Sequence, residues 1–255
     1  MIGKPTDGPI SRYINRKLSA PISRFIVSRR WDVDPNIVTI MTTVFGIIAG
    51  ALYVITYPWI AGIMVQLASV LDGVDGEIAR ITNKQSRFGG FFDSLLDRFV
   101  DIAILIGLSV SALVISEGPN EVKVIFFLSM IALSGSLLVS FMNARSEASL
   151  GTHPSKVGGV PLATRDVRLF IVFIGSIMSA FYVEALIWTL IVVGVMTYTH
   201  VLLNLGILSK RFWIRKENRA LIHKESARNI GVAELEEVCG GSSGRATKEI
   251  LGDDR

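Results

Sequence analysis

Four aspartates carry most of the chemistry written into this sequence. From Leu71 it reads LDGVDGEIARITNKQSRFGGFFDSLLDR, with Asp72 and Asp75 three residues apart and Asp93 and Asp97 four apart. On helices, each spacing puts its pair on one face. Four carboxylates gathered in a partly desolvated site repel one another unless cations intervene. Hard oxygen ligands favour Mg²⁺, Mn²⁺ or Ca²⁺ over zinc. The single cysteine, Cys239, and three scattered histidines, His153, His200 and His223, offer no competing metal cluster. One or two divalent ions held this way would bind a pyrophosphate and stabilise charge as a phosphorus–oxygen bond breaks. Gly73, Gly76 and Ala79 clear space along the first helix, Gly89 and Gly90 do so on the next, and Arg80 adds a cation beside the phosphates.

The elements that must hold these residues are membrane elements. Half of the 255 residues are hydrophobic and the mean hydropathy is +0.50, too apolar for a typical soluble domain. Six apolar segments, at roughly 36–57, 59–80, 88–115, 123–145, 165–181 and 184–206, approach the length a bilayer requires. Asp72 and Asp75 then close the second span, Asp93 and Asp97 open the third, and a short loop makes the two antiparallel neighbours. Lys and Arg concentrate in the N-terminal arm, the 80–88 loop, the 145–168 loop and the chain after 206. The opposite connections carry Glu117, Glu121 and Glu184. The positive-inside rule therefore predicts a multi-pass protein of the cell membrane, with both termini and the aspartates on the cytoplasmic side.

Residues 8–30 predict an amphipathic helix lying in the headgroup layer. Ile10, Ile14, Leu18, Ile22, Phe25 and Ile26 form its apolar stripe, Arg12, Arg16, Lys17, Arg24, Arg29 and Arg30 its cationic one, and Pro21 is a candidate break. No secretory signal is expected at the N-terminus. The chain after Asn218 is polar, includes Gly-Gly-Ser-Ser-Gly at 240–244, and is expected to be a loose tail with a short helix at 232–238. The organisation expected is an arm at 1–32, a six-helix all-α membrane domain at 33–210, and a tail at 211–255. Gly107, Ser109 and Ser111, with Gly135 and Ser136, are small enough for close helix contact.

The motif D-x-x-D-G-x-x-A-R-x8-G-x3-D-x3-D, filled by Asp72, Asp75, Gly76, Ala79, Arg80, Gly89, Asp93 and Asp97, resembles the signature of the CDP-alcohol phosphotransferases without departure. The resemblance extends over about 8–210. It implies that Asp72, Asp75 and Asp93, with Gly76, Ala79 and Arg80, hold a cytidine diphosphate and its Mg²⁺ or Mn²⁺. It implies that Asp97 touches metal and is the general base that deprotonates an acceptor hydroxyl. Pro35, Asn36 and Thr39 resemble the family's nucleotide-side element, and a homodimer is implied. The implied partners are a CDP-alcohol, an acceptor alcohol and the lipid bilayer, not nucleic acid.

The motif leaves the substrates open. Arg145, Lys156, Arg165 and Arg168 are candidates for gripping an acceptor phosphate, although the positive-inside rule alone also accounts for cations there. The text KPTDGPISRYINRKLSAPISR and QLASVLDGVDGEIAR resembles the transferase part of di-myo-inositol phosphate phosphate synthases, which join CDP-inositol to inositol 1-phosphate. Those enzymes are often fused to a cytidylyltransferase domain, which these residues lack, so the donor is expected from a separate protein or the substrate differs. The alternative is a phospholipid synthase using CDP-diacylglycerol or its archaeal ether analogue with inositol phosphate or glycerol phosphate. A scaffold or transporter is a remote third: no internal repeat is visible, and the charges sit at one face rather than the midplane.

Overall fold

The computed structural model describes residues 8–29 and 34–213, and every described element is helical. A π-helical turn, Ser11–Asn15, leads into α1 (Arg16–Ser28). There follow α2 (Pro35–Val54), α3 (Pro58–Ile81), α4 (Arg87–Val114), α5 (Pro119–Leu150) and α6 (Arg165–Met178), then α7 (Ala185–Trp213). The chain divides into two units, Met1–Leu205 and Gly206–Arg255, and the four aspartates belong to the first. The expected 232–238 helix, the tail beyond Trp213, Arg30, His223 and Cys239 lie outside the described residues, while 211–213 continue α7.

Local sequence accounts for most helix boundaries. Proline occupies the first turn of α2, α3 and α5, where its missing N–H costs nothing. Asp34 caps α2 by accepting from Asn36 N, and Ser86 caps α4 by accepting from Gly89 N at 2.9 Å. Between α3 and α4, Asn83 takes the left-handed conformation with φ 57°, which asparagine tolerates. Helix α5 runs past the expected end near 145 because no breaker intervenes until Gly151, whose φ of 65° closes it. Pro21 does not break α1: it sits on an exposed face, and the helix continues through it.

Three described helices, α2, α5 and α7, are long and apolar enough to cross a membrane, with mean hydropathies of 2.1, 2.3 and 1.9. The other three expected spans fall short for visible reasons. Helix α3 ends in Asp72, Asp75, Glu77 and Arg80, α4 begins with Arg87, Asp93, Asp97, Arg98 and Asp101, and α6 has only 14 residues.

The packing differs from a simple antiparallel pair. Helix α2 lies against both α3 and α4, whereas α3 and α4 barely touch; α6 and α1 pack on α3, and α5 on α4. The core joins Ala49 and Tyr53 of α2, Ala61 and Val65 of α3, Ile104 and Leu108 of α4, Ala132 of α5, Val172 of α6 and Leu190 of α7. The α2–α4 crossing is backbone to backbone: a Cβ on Gly107 would meet the carbonyl oxygen of Gly50 and stand 3.0 Å from Tyr53 Cβ. A backbone carbonyl cannot step aside. Gly107→Ala is therefore expected to destabilise the protein by roughly 1–3 kcal/mol, as overpacking does, read as a lowered unfolding temperature in detergent.

Most of the small residues expected to allow close helix contact meet other helices of this chain or are buried in it. Gly107 receives α2, a Cβ on Gly135 would meet Thr197 of α7, and Ser111 and Ser136 are buried.

Helix α1 departs from its expectation at Arg16. Its polar stripe, Asn15, Ser19 and Ser23, is buried against the protein. Tyr13, Leu18, Ile22 and Phe25 point outward, and Arg16 turns inward rather than to the surface.

Candidate active site

The gap between α3 and α4 holds the aspartates. Carboxylate oxygens of Asp72, Asp93 and Asp97 lie within 4.8 Å of one another and can hold a metal ion. The donors are all hard oxygens, which suits a small divalent cation. Asp75 is turned toward α2. It is 5% exposed, accepts from Thr39 Oγ1 at 2.5 Å, and its other oxygen accepts from Gly76 N at 2.5 Å. Three residues along a helix leave the two side chains about 60° apart, close enough to share a face and far enough apart for Asp75 to lean toward α2.

Two cavities flank the cluster. The first is lined by Pro35, Asn36, Thr39, Asp75, Gly76, Ala79, Arg80, Gly89, Gly90 and Asp93, with Lys84, Gln85 and Ser86. It gathers every residue expected on the nucleotide side except Asp72. Gly90 has no atom within reach of an added Cβ, so its backbone is open to a close approach. The second cavity is lined by Asp72, Gly76, Asp93 and Asp97, by Arg98, Ser140, Asn143 and His153, and by Thr164, Arg165, Asp166 and Arg168. Gly76 and Asp93 belong to both.

Arg165 binds the cluster together. Its Nη1 lies 3.0 Å from Asp72 Oδ1 and 2.9 Å from Asp97 Oδ1, and its Nε is 3.0 Å from Asp101 Oδ1. Arg168 donates from Nη2 to Asp101 Oδ2 at 2.9 Å and from Nη1 to the Ala163 carbonyl at 2.9 Å. Arg98 stands 3.6 Å from Asp97 and 3.9 Å from Asp101 and reaches the Ser140 hydroxyl. The first turn of α6 is thus anchored to α4 by Asp101, one turn beyond Asp97. Arg145 and Lys156, by contrast, are exposed and line neither cavity.

Two residues that line the second cavity carry polar atoms without partners. Asn143 Oδ1 and Thr164 Oγ1 are buried and receive no hydrogen bond from the described residues. Buried acceptors of this kind carry a desolvation cost unless a ligand or water satisfies them. His153 contributes a ring whose proton affinity burial lowers more than neighbouring Glu147 raises it, so it enters the cavity neutral at neutral pH.

Sequence reasoning missed several of these residues. Asp101 is not among them: one turn beyond Asp97 on the same face, it reads from the sequence as a partner for Arg98, and the two stand 3.9 Å apart. Asn143, Ser140 and Asp166 gave no signal, because nothing local links α5 or the second residue of α6 to α4. Gly73, expected to clear space for a ligand, lines the second cavity and also lies beside the arm helix: its Cβ would stand 3.0 Å from Arg16 Nη1.

Comparison with known proteins identifies the family. Residues 33–199 match the family model described as CDP-alcohol phosphatidyltransferase. The chain is 35% identical over 202 residues to the bifunctional IPC transferase and DIPP synthase of Archaeoglobus fulgidus, covering 78% of this chain and 38% of that one. It is 34% identical over 148 residues to the archaetidylinositol phosphate synthase of Pyrococcus horikoshii, covering 58% of this chain and 71% of the relative. The chain therefore spans well under half the length of the bifunctional relative. Among solved structures, the phosphatidylinositol phosphate synthase of Mycobacterium tuberculosis with CDP-DAG bound superposes with a TM-score of 0.63 at 26% identity, covering 75% of this chain and 93% of that one. The same enzyme has been solved in complex with manganese and citrate, covering 74% of this chain and 88% of that one at the same TM-score and identity. By the extent of the match, this chain belongs to the CDP-alcohol phosphatidyltransferase family.

Proposed function

We propose that the protein transfers a phosphoalcohol group from a CDP-alcohol, CDP-inositol in the first reading, to inositol 1-phosphate, releasing CMP. The observation that carries this is the pair of cavities meeting at Asp93 and Gly76, with Asp75 only on one side and Asp72 and Asp97 only on the other. The first cavity suits the cytidine diphosphate, with Pro35, Asn36, Thr39, Gly76, Ala79 and Arg80 around it. The second suits a phosphorylated polyol. Arg165 and Arg168 offer guanidinium groups for a phosphate, and Asn143 Oδ1 and Thr164 Oγ1 offer acceptors for hydroxyls.

In the reaction, an acceptor hydroxyl in the second cavity attacks the phosphorus that bears the donor's alcohol. A new phosphorus–oxygen bond forms to the acceptor, the bond to the bridging oxygen breaks, and that oxygen leaves with CMP. The hydroxyl proton passes to Asp97, which lines the acceptor side and whose Oδ1 is held at 2.9 Å by Arg165. Asp72, Asp75, Asp93 and Asp97 would hold Mg²⁺ or Mn²⁺, which when bound neutralises the pyrophosphate and stabilises the developing charge. Arg80 assists from the first cavity.

The relatives named archaetidylinositol phosphate and phosphatidylinositol phosphate synthases favour a second reading, in which the donor is CDP-archaeol or CDP-diacylglycerol and the acceptor is unchanged. Mass spectrometry of products formed with Mg²⁺, inositol 1-phosphate and each CDP-alcohol separates the two. A water-soluble phosphodiester supports the first, a lipid product the second, and absence of CMP release from every donor rejects both.

The chain sits in the membrane in either reading. We infer that α3, α4 and α6 cross beside α2, α5 and α7, with both termini and the site cytoplasmic. Thiol labelling of single cysteines placed near Pro58 and near Lys84 tests this, with only the second expected to label from the cytoplasmic side. Helix α1 would rest its outward Leu18, Ile22 and Phe25 in the headgroup layer.

Thr39→Val removes the hydroxyl that donates to Asp75. A hydrogen bond to a charged group of this kind is worth about 1.5 kcal/mol, so the donor KM is expected to rise roughly tenfold with the acceptor KM unchanged. Steady-state kinetics with each substrate varied in turn checks it.

A further inference from the structure

The arm helix is fastened to α3 by a carboxylate that takes no part in the proposed transfer. Glu77 is 0% exposed. Its Oε1 accepts from Arg16 Nη1 at 2.8 Å and from Ser19 Oγ at 2.8 Å, and its Oε2 from Ser23 Oγ at 2.6 Å. Arg16 Nη1 also donates to the Gly73 carbonyl at 3.0 Å. Toward the start of the arm, Asn15 donates to Ser69 Oγ at 3.0 Å and accepts from Gln66 Nε2 at 3.0 Å. A carboxylate this deeply buried is tolerated only when its charge and lone pairs are met, and here both oxygens are. Gly73 permits the approach: a Cβ there would crowd Arg16 and Ser19 at 3.0 and 3.1 Å.

The fastened segment is also a wall of the second cavity. Gly8, Ser11, Asn15 and Arg16 line it together with Asp97 and Arg165, and Ser11 N donates to Asp166 Oδ2 at 2.6 Å, joining the arm to α6. Glu77, Ser19 and Ser23 line neither cavity. The first cavity has no residue from the arm.

We propose that Glu77 is a positioning residue for the acceptor: it locks the arm as a wall of the second cavity, so its loss weakens acceptor binding and spares nucleotide binding. The proposal rests on the assignment of the second cavity to the acceptor. Displacement of a site wall by even an ångström has large consequences, whereas the first cavity takes no wall residue from the arm.

Titration calorimetry on the full chain in detergent, with CMP and with inositol 1-phosphate as probes, tests it. Glu77→Gln is expected to weaken inositol 1-phosphate binding roughly tenfold and CMP binding by less than about twofold; Ser23→Ala, which keeps the Arg16 pair, is expected to show about a threefold loss for inositol 1-phosphate alone. Equal weakening of both probes, or no change in either, overturns the proposal. If Glu77→Gln does not fold, Ser23→Ala decides. Arg165→Gln is measured alongside. If it weakens inositol 1-phosphate while the Glu77 and Ser23 variants do not, the positioning role fails and the acceptor site stands. If Arg165→Gln also leaves that probe untouched, or the wild type binds only CMP, the acceptor assignment fails and takes the positioning role with it.

Discussion

Asp97→Asn is expected to lower kcat by roughly 10²–10⁴-fold, the contribution of a general base. The substitution keeps the shape of the side chain and can still accept from Arg165, which stands 2.9 Å away. It cannot take the proton of the attacking hydroxyl. The loss should therefore fall on turnover, with affinity for CMP in the absence of divalent metal little changed, because Asp97 lines only the second cavity. CMP release followed under saturating substrates is the measurement. Wild-type turnover in this variant would remove Asp97 as the base, leaving it a metal ligand or a partner for Arg165.

The second large effect is expected on stability rather than turnover. Asp101 is 3% exposed and Arg168 is 4% exposed, and Asp101 holds both Arg165 and Arg168 at 2.9–3.0 Å. Asp101→Ala leaves the Arg168 guanidinium buried with no carboxylate against it. Removing one partner of a buried pair costs about 3–5 kcal/mol, a fall in unfolding temperature on the order of 10 °C for a chain of this size. Arg165 keeps Asp72 and Asp97 but loses the contact to its Nε that fixes the plane of the guanidinium. The acceptor KM should therefore rise as well. Asp101→Asn retains an oxygen acceptor and should fall between the two. Thermal unfolding in detergent of all three proteins gives the order; an unchanged midpoint for Asp101→Ala would show that water reaches the arginines.

Turnover and stability thus depend on neighbouring carboxylates one helical turn apart, with opposite environments. Asp97 faces a cavity and has a reactive task. Asp101 is closed in by three arginines, Arg98, Arg165 and Arg168, and its task is to present one of them.

How much of this was written in the sequence depends on distance along the chain. Asp72 and Asp75, then Asp93 and Asp97, could be read as site residues because helical periodicity is local: spacings of three and four fix which side chains share a face before any packing is known. The same locality made α2 to α7 legible, with Pro35, Pro58 and Pro119 at helix starts and Ser86 at a cap. The resemblance of eight motif positions added the nucleotide and the metal. Tertiary structure alone decided that α2 wedges between α3 and α4, and so that Asp75 faces Thr39 while Asp72 faces Arg165. It alone chose Arg165 and Arg168 over Arg145 and Lys156, brought Asn143 to the second cavity, and turned Arg16 inward onto Glu77. Those choices join residues up to 93 positions apart, as Arg165 and Asp72 are. They follow from where glycines such as Gly50 and Gly107 let helices close and where side chains hold them apart, a property of surfaces in contact that no single segment carries.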